Sequence, residues 1–257
     1  AFFMAKSAKY SNLEDEELGE VTKGEQSYED GFTRCSVAEA DVYLRLGFLR
    51  KVYGILSVQL LASVFMAAAM MFTPSISTFV VGHQWTLWLS YFVSIGLLFG
   101  LLSKKDVHPT NMYLLAAWTL GLAYMVGAIC TFYKEAGLGR IVLEAFFLTA
   151  AVAVGLTLYT LQSKRDFSFL GGGLFACVWI LFLVGLISMF FPMGNTMRLL
   201  YSAAGSIIFS LYIVYDTYMI SKRYSPDDYI VACVDLYLDI INLFLYLLQF
   251  LASLQQE

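Results

Sequence analysis

The segment Tyr229–Leu251 reads YIVACVDLYLDIINLFLYLLQFL, and the segment before it, Leu199–Ile220, reads LLYSAAGSIIFSLYIVYDTYMI. Each is long and apolar enough to cross about 30 Å of hydrocarbon as a helix, which takes roughly 20 residues. Each also carries an aspartate, Asp239 in the first and Asp216 in the second. An ionised carboxylate in hydrocarbon costs at least about 2.5 kcal/mol on insertion-based scales, so these two aspartates indicate a functional site.

The composition of the whole chain is that of a membrane protein. Of its 257 residues 59% are hydrophobic and 14% are charged, whereas a soluble domain carries about 25% charged residues. Backbone groups in lipid must be hydrogen-bonded internally, so each long apolar segment predicts a helix. The predicted fold class is therefore all-α, a polytopic membrane protein with seven transmembrane helices: Val52–Phe72, Trp85–Leu102, Met112–Tyr133, Ile141–Leu161, Phe169–Phe191, Leu199–Ile220 and Tyr229–Leu251.

The beginning of the chain differs from the rest. Half of the 20 acidic residues lie between Glu14 and Asp41, in a stretch that is polar and poor in aliphatic residues. Such a composition predicts a disordered, acidic cytosolic tail over residues 1–42, followed by a transmembrane domain over residues 43–257. An acidic tail argues against nucleic acid as a partner, and the lipid bilayer is the expected surrounding of the remainder.

The basic residues between the segments predict the orientation. Ten lysines and arginines fall on the side of the N-terminal tail, and three fall on the other side. Since cytosolic loops carry the excess of basic residues, the N-terminus is expected in the cytosol. With seven crossings the C-terminus lies on the far side; if the last segment re-enters instead, both ends are cytosolic.

Two further acids lie within the apolar segments. Asp235 precedes Asp239 by four residues, so the two share one face of a helix. Glu144 follows Arg140 by four residues, a spacing that also fits a plain interfacial ion pair. Asp235 fits a hydrated position near the membrane interface as well as a position beside Asp239.

If Asp216 and Asp239 face each other, burial and mutual repulsion both disfavour the doubly ionised state. The pair would then hold one proton up to near-neutral pH and release it as a unit. A lysine, Lys104 or Lys105, is a candidate latch over the ionised pair. A divalent cation is the other natural counter-charge, so Asp216 and Asp239 are candidate transient ligands of Ca²⁺.

Four strings carry a resemblance to a known family: FLRKVYGILSVQLL from Phe48, YTLQSKRDFSFLGGGLFA from Tyr159, LYIVYDTYMI from Leu211 and DLYLDIINLFLYLL from Asp235. They are similar to the Bax inhibitor-1 (TMBIM) family, and most similar to its Lifeguard branch. The resemblance implies a seven-helix fold with a central seventh helix, a Ca²⁺ leak from intracellular stores and suppression of cell death. It also implies a Golgi or endoplasmic reticulum membrane, with plasma membrane or vacuole as alternatives.

The resemblance also assigns roles to residues. The di-aspartyl pH sensor of the family carries over to Asp216 and Asp239, and its basic latch on the second helix maps to Lys104 or Lys105. Glu144, in the string IVLEAF, matches an acidic position found in some members. Asp235 departs from the family pattern, which has serine there, and adds a carboxylate one turn from Asp239.

The leading interpretation is a cation leak that favours Ca²⁺ and is gated by protonation of the aspartyl pair, because acid-lined paths select cations. No cofactor is expected, Ca²⁺ being the permeant ion. The main alternative is a non-conducting scaffold that regulates cell death by binding other membrane proteins.

An intramembrane aspartyl protease also fits Tyr215-Asp216. Such an enzyme needs glycines before the second aspartate, where this chain has Leu236, Tyr237 and Leu238. The chain is therefore not expected to be an enzyme. Proton-coupled transport fits the acids, but the sequence has no repeat or broken helix.

Overall fold

The described part of the chain is built from α-helices, which confirms the all-α part of the predicted fold class. A computed structural model describes residues 42–255, so the predicted acidic tail, apart from Val42, lies outside the described residues. No β-strand occurs between residues 42 and 255, and a short π-helical segment, Lys134–Leu138, joins the fourth and fifth α-helices. The α-helices are α1 (Val42–Phe72), α2 (Pro74–Gly82), α3 (Trp85–Ser103), α4 (Thr110–Tyr133), α5 (Gly139–Gln162), α6 (Leu170–Phe190), α7 (Asn195–Lys222) and α8 (Tyr229–Leu254).

Every predicted apolar segment coincides with a helix, but the first helix begins earlier than predicted, at Val42 instead of Val52. The reason is that a count of apolar residues stops at Arg50 and Lys51, whereas a helix that leaves the hydrocarbon can continue with charged residues on its outer face. Phe48 lies in this added part and is buried against the other helices.

One helix was not predicted. The helix α2 occupies the connection after α1, with Thr73 as its N-cap and Pro74 in its first turn. Proline is well suited to the first position of a helix because its missing N–H has no partner there. This short helix packs against α1 and α4.

The number of membrane crossings is not decided by helix length and composition. By those criteria the described residues contain six candidate spans, because Thr110–Gln162 forms one continuous helical stretch of 53 residues. Within that stretch Gly137 departs from helical geometry, with a φ of 84°. The helices on either side of it, α4 and α5, also contact each other.

The last helix is the most enclosed. In its most apolar window 61% of the residues are buried, against 11% for α3 and for α6, and α8 contacts α1, α4, α5 and α7. The outward faces of the helices carry many exposed large apolar side chains, among them Phe65, Phe92 and Phe175. A contiguous apolar exterior of this kind suits lipid and not water, so the protein is an integral membrane protein.

Close approach between helices depends on a few glycines. A Cβ atom on Gly205 of α7 would overlap the ring of Tyr246 on α8, and one on Gly127 of α4 would lie 2.6 Å from Met70 Sδ. A Cβ on Gly121 would likewise lie 2.5 Å from the Ser94 hydroxyl of α3. Small residues at such crossings are typical of membrane helices.

The contact between Gly205 and Tyr246 gives a test of the α7–α8 packing. We expect Gly205→Ala to lower the free energy of unfolding by about 1–3 kcal/mol, because the added methyl group overlaps the Tyr246 ring, which is packed against Tyr201 and Phe209. The matched control is Gly155→Ala, a helical glycine whose Cβ would meet open space. Thermal unfolding of the two purified variants should show a loss for the first only; equal transition temperatures would contradict the packing.

Candidate site: a buried pair of aspartates

The structure brings Asp216 of α7 and Asp239 of α8 together. The two residues are 8% and 5% exposed, and their carboxyl groups lie close enough to interact directly. Two ionised carboxylates have no proton to donate, so a hydrogen bond between them forms only when one of them is protonated. The proximity of the two buried groups is therefore suited to sharing one proton.

The positions of the two aspartates follow from the helix packing. Asp216 lies three turns after Gly205, and Asp239 lies two turns before Tyr246, so each aspartate shares a helix face with its partner in the close contact. The α7–α8 connection is short, so the two helices run in opposite directions. The glycine contact that draws α7 against α8 therefore directs both carboxyl groups to one interface.

Part of this interior is polar and incompletely paired. Among the described residues, Asp239 Oδ2 and Gln59 Oε1 are buried without a hydrogen-bond partner. Nearby on α1 and α8, the Ser63 and Tyr237 hydroxyl groups are 2.7 Å apart, and Gln59 Nε2 donates to Thr119 Oγ1 at 2.9 Å. Each unpaired acceptor costs about 1–3 kcal/mol if it stays dry, so the interior favours polar occupants.

Asp235 is bound by a tyrosine, one turn before Asp239 on α8. Its carboxylate accepts a hydrogen bond of 2.6 Å from the Tyr224 hydroxyl, and its side chain is half-buried. Tyr224 lies just beyond the end of α7, in the connection to α8. Asp235 therefore ties this connection to α8, one turn before Asp239. No feature of the sequence pattern pointed to Tyr224 as its partner.

The structure does not bring the predicted basic latch to the pair. Lys105 makes an ion pair with Asp228 at 3.0 Å, and the hydrogen bond that its ammonium group donates to that carboxylate raises the pKa of Lys105. Asp228 precedes α8 and is about 16 Å along the helix from Asp239 at 1.5 Å per residue. Lys104 is exposed in the same connection. In this conformation Lys105 is bound to Asp228 at the beginning of α8 and does not cover the two aspartates.

Lys51 and Asn111 also bind the beginning of α8, and the sequence pattern indicated neither of them. The Lys51 ammonium lies 3.1 Å from the centroid of the Tyr229 ring, a cation–π contact. Asn111 Nδ2 donates to the Tyr229 hydroxyl at 2.9 Å and to the Lys105 carbonyl at 2.7 Å. These contacts join α1, the α3–α4 connection, α4 and α8 across long sequence separations, which local patterns do not reveal.

Glu144 does not join the pair either. Its carboxylate accepts a hydrogen bond of 2.8 Å from Arg140 Nε, one turn earlier on α5, and both side chains are exposed. This is the plain i, i+4 ion pair that its spacing allowed, and such exposed pairs contribute about 0.3–0.5 kcal/mol.

The described residues do not form a built metal site. No group of three or more His, Cys, Asp or Glu side chains in residues 42–255 is arranged to hold a metal ion. The aspartyl pair alone supplies at most four carboxyl oxygens, whereas Ca²⁺ takes six to eight oxygen ligands. The arrangement can exchange a proton and attract a passing cation, and it lacks the ligands for a tightly held one.

Comparison with known proteins places the chain in a family. Residues 45–256 match the family described as Inhibitor of apoptosis-promoting Bax1. The chain is 46% identical over 226 residues to the Golgi anti-apoptotic protein of Vaccinia virus (strain Lister), which covers 88% of this chain and 93% of the viral protein. It is 44% identical over 234 residues to protein lifeguard 4 of Mus musculus, covering 90% and 95% of the two chains. It is 41% identical over 221 residues to Bax inhibitor 1 of Schizosaccharomyces pombe, covering 86% and 82%. The chain therefore belongs to the Bax inhibitor-1 family of integral membrane proteins.

Proposed function

We propose that the protein is a pH-sensitive Ca²⁺ leak of an intracellular membrane, Golgi or endoplasmic reticulum, which lowers stored Ca²⁺ and suppresses apoptosis. The observation that carries the proposal is the pair of buried carboxyl groups, Asp216 and Asp239, which face each other inside the helical body. The names of the viral Golgi anti-apoptotic protein and of the yeast Bax inhibitor 1 support the apoptotic part.

The pair supplies a proton-controlled element. While one proton is shared, the hydrogen bond between the two carboxyl groups joins α7 to α8. Loss of that proton leaves two negative charges in contact, which repel each other and attract a cation. The change alters the α7–α8 contact and the charge of the interior together, so a proton and Ca²⁺ compete for one place.

Buried polar groups within the helical body support the passage of an ion. Gln59, Ser63 and Thr119 bring amide and hydroxyl groups to the interior of α1 and α4, and Gln59 Oε1 and Asp239 Oδ2 are buried without a partner. Oxygen atoms of this kind are the ligands that Ca²⁺ prefers. The ion is the permeant species, and the protein uses no resident cofactor.

We further propose seven membrane crossings around a central α8, with the N-terminus in the cytosol. The positive φ of Gly137 and the contact between α4 and α5 support a reversal of the chain within Thr110–Gln162. The high burial of α8 supports its central place. On this arrangement the C-terminus faces the lumen.

A scaffold without conduction is the second candidate. The weakly buried helices α3 and α6 present aromatic faces to the membrane, and such faces can bind other membrane proteins of cell death or Ca²⁺ signalling. An intramembrane protease receives less support and we propose no enzymatic activity, because α8 is an unbroken helix from Tyr229 to Leu254 and Asp239 therefore has no opened backbone beside it for a peptide substrate.

The orientation can be tested by cysteine labelling. Ser253 is buried, so the exposed residue Gln255 is the better site near the C-terminus. In sealed organelle vesicles, Gln255→Cys should react with a membrane-impermeant maleimide only after permeabilisation. Lys164→Cys in the α5–α6 connection should react before it. Labelling of both variants in sealed vesicles would contradict seven crossings.

The role of the pair can be tested in liposomes that contain only the purified protein. We expect Asp216→Asn and Asp239→Asn each to remove most of the pH dependence of Ca²⁺ flux between about pH 5 and 8, the range into which buried paired carboxyl groups move. Glu144→Gln is the matched control, since it removes a carboxylate from an exposed ion pair and should keep the parent profile.

Two outcomes would decide against this function. An unchanged pH profile in both aspartate variants would contradict the sensor, and absence of Ca²⁺ flux from the folded parent protein at every pH would favour the scaffold.

The contribution of Asp235 can be measured separately. We expect Asp235→Asn to move the pH midpoint of flux downward, because the pair loses a repelling charge and releases its proton more easily. Two charges about 6 Å apart at an effective dielectric constant of about 20 interact by about 2.8 kcal/mol, which limits the shift to about two pH units. Asp227→Asn, an exposed loop carboxylate, is the control. Equal midpoints for both variants would show that Asp235 only anchors Tyr224.

A further inference from the structure

A lateral groove opens in the helical body, on the side away from α5. Its volume is about 1010 Å³, and residues of α3, α4, α6, α7 and α8 line it. The helix α3 packs on α4, and α6 packs on α7, so the groove is the gap that these two outer helices leave between them. Tyr201 and Tyr246 form part of its floor, and Trp88, Met125 and Leu186 lie along its walls.

The depth of the groove in the membrane follows from its lining residues. One end lies at Gln84 and Trp88, at the beginning of α3, and aromatic residues such as Trp85 and Trp88 are typical of the membrane interface. The other end lies at Asn242, which is about 18 Å before the end of α8 at 1.5 Å per residue. The groove therefore extends from the interface to about the middle of the hydrocarbon, which is about 30 Å thick.

The chemistry of the lining suits an apolar occupant. The polar groups on its floor are already engaged within the protein: the Tyr201 hydroxyl donates to the Leu181 carbonyl at 3.0 Å and lies 3.1 Å from the Tyr246 hydroxyl. Asn242 Nδ2 donates to the Leu238 carbonyl at 2.8 Å. A polar ligand would find these donors occupied, whereas a hydrocarbon chain needs none of them.

The size and shape of the groove distinguish a lipid chain from a helix. A helix about 10 Å wide that crosses about 30 Å of hydrocarbon fills roughly 2,400 Å³, more than twice the groove. Helices in membranes also pack through small residues, but the lining is mainly large aromatic and aliphatic side chains. Its glycine, Gly185, is already covered by the Tyr201 hydroxyl, which a Cβ would meet at 2.9 Å. We propose that an acyl chain of a bilayer phospholipid binds in this groove.

The occupant would contact the helices that hold the aspartyl pair. Asn242 lies one turn beyond Asp239 on α8, and the ring of Tyr246 packs both on the groove and on Gly205 of α7. A bound chain therefore presses on the same α7–α8 contact that joins Asp216 to Asp239. Binding itself does not depend on the proposed leak, and the experiment below measures binding alone.

The test uses the full-length protein in bilayers that contain a phosphatidylcholine with a photoreactive diazirine on one acyl chain. After irradiation, mass spectrometry maps the labelled residues. We expect labelling that saturates with probe concentration and concentrates on Trp88, Met125 and Leu186. The outward residues of α6, such as Ile180, should show weak labelling that rises linearly with the concentration of the probe.

A pair of variants on α6 provides the control. Leu186 lines the groove and Leu183 does not, although their exposed fractions are similar, 43% and 50%. Leu186→Trp fills the groove and should reduce the saturable labelling of Trp88 and Met125 several-fold, whereas Leu183→Trp should leave it unchanged. If Leu186→Trp unfolds, Val178→Trp on the same wall replaces it.

Two results would overturn the proposal. Labelling that is linear and equal on the groove and on the outer faces would show bulk lipid without a site. Disulfide-linked dimers formed through Leu186→Cys, with no saturable lipid labelling in the parent, would show that a second copy of the chain occupies the groove.

Discussion

The contact between the buried carboxyl groups of Asp216 and Asp239 is the interaction on which the rest of this structure depends. It lies between two helices in hydrocarbon, where two free negative charges are strongly disfavoured. One proton removes one of the charges and supplies the donor for a hydrogen bond between the two groups. On the proposed function, protonation therefore controls this part of the α7–α8 contact, and α8 also contacts α1, α4 and α5, which places it to pass a change on to them.

Two sets of contacts flank Asp239 on α8. At the beginning of the helix, Lys105, Asn111 and Lys51 bind Asp228 and Tyr229. Two turns after Asp239, Tyr246 packs on Gly205 of α7. A titratable group between two such contacts suits a switch within a helical bundle, because a change of charge can then act on a small part of the packing.

Much of this could be predicted from the sequence, for a physical reason. A segment such as Phe169–Phe191 must satisfy its backbone internally in lipid, so its apolar length alone predicts a helix. The pairing of Asp216 and Asp239 was also predictable, because two buried carboxylates on consecutive helices have few other partners.

The sequence could not predict the contacts between polar residues that lie apart in the chain. These contacts join Tyr224 with Asp235, Lys105 with Asp228 and Lys51 with Tyr229. Packing geometry decides which of these residues pair, because several alternative pairings would satisfy the same charges. The helix α2 was missed because its proline reads equally well as a break and as a helix start.

The most direct test of the shared proton is infrared difference spectroscopy of the carboxyl C=O stretch, recorded across pH on the parent protein and on Asp216→Asn and Asp239→Asn. The account predicts one buried carboxylic acid band in the parent that persists to near-neutral pH and then disappears in a single titration. The same band should be shifted or lost in either variant. Two carboxylates that are both ionised throughout pH 5 to 8, with no band changed by either substitution, would contradict the shared proton and with it the proposed sensor.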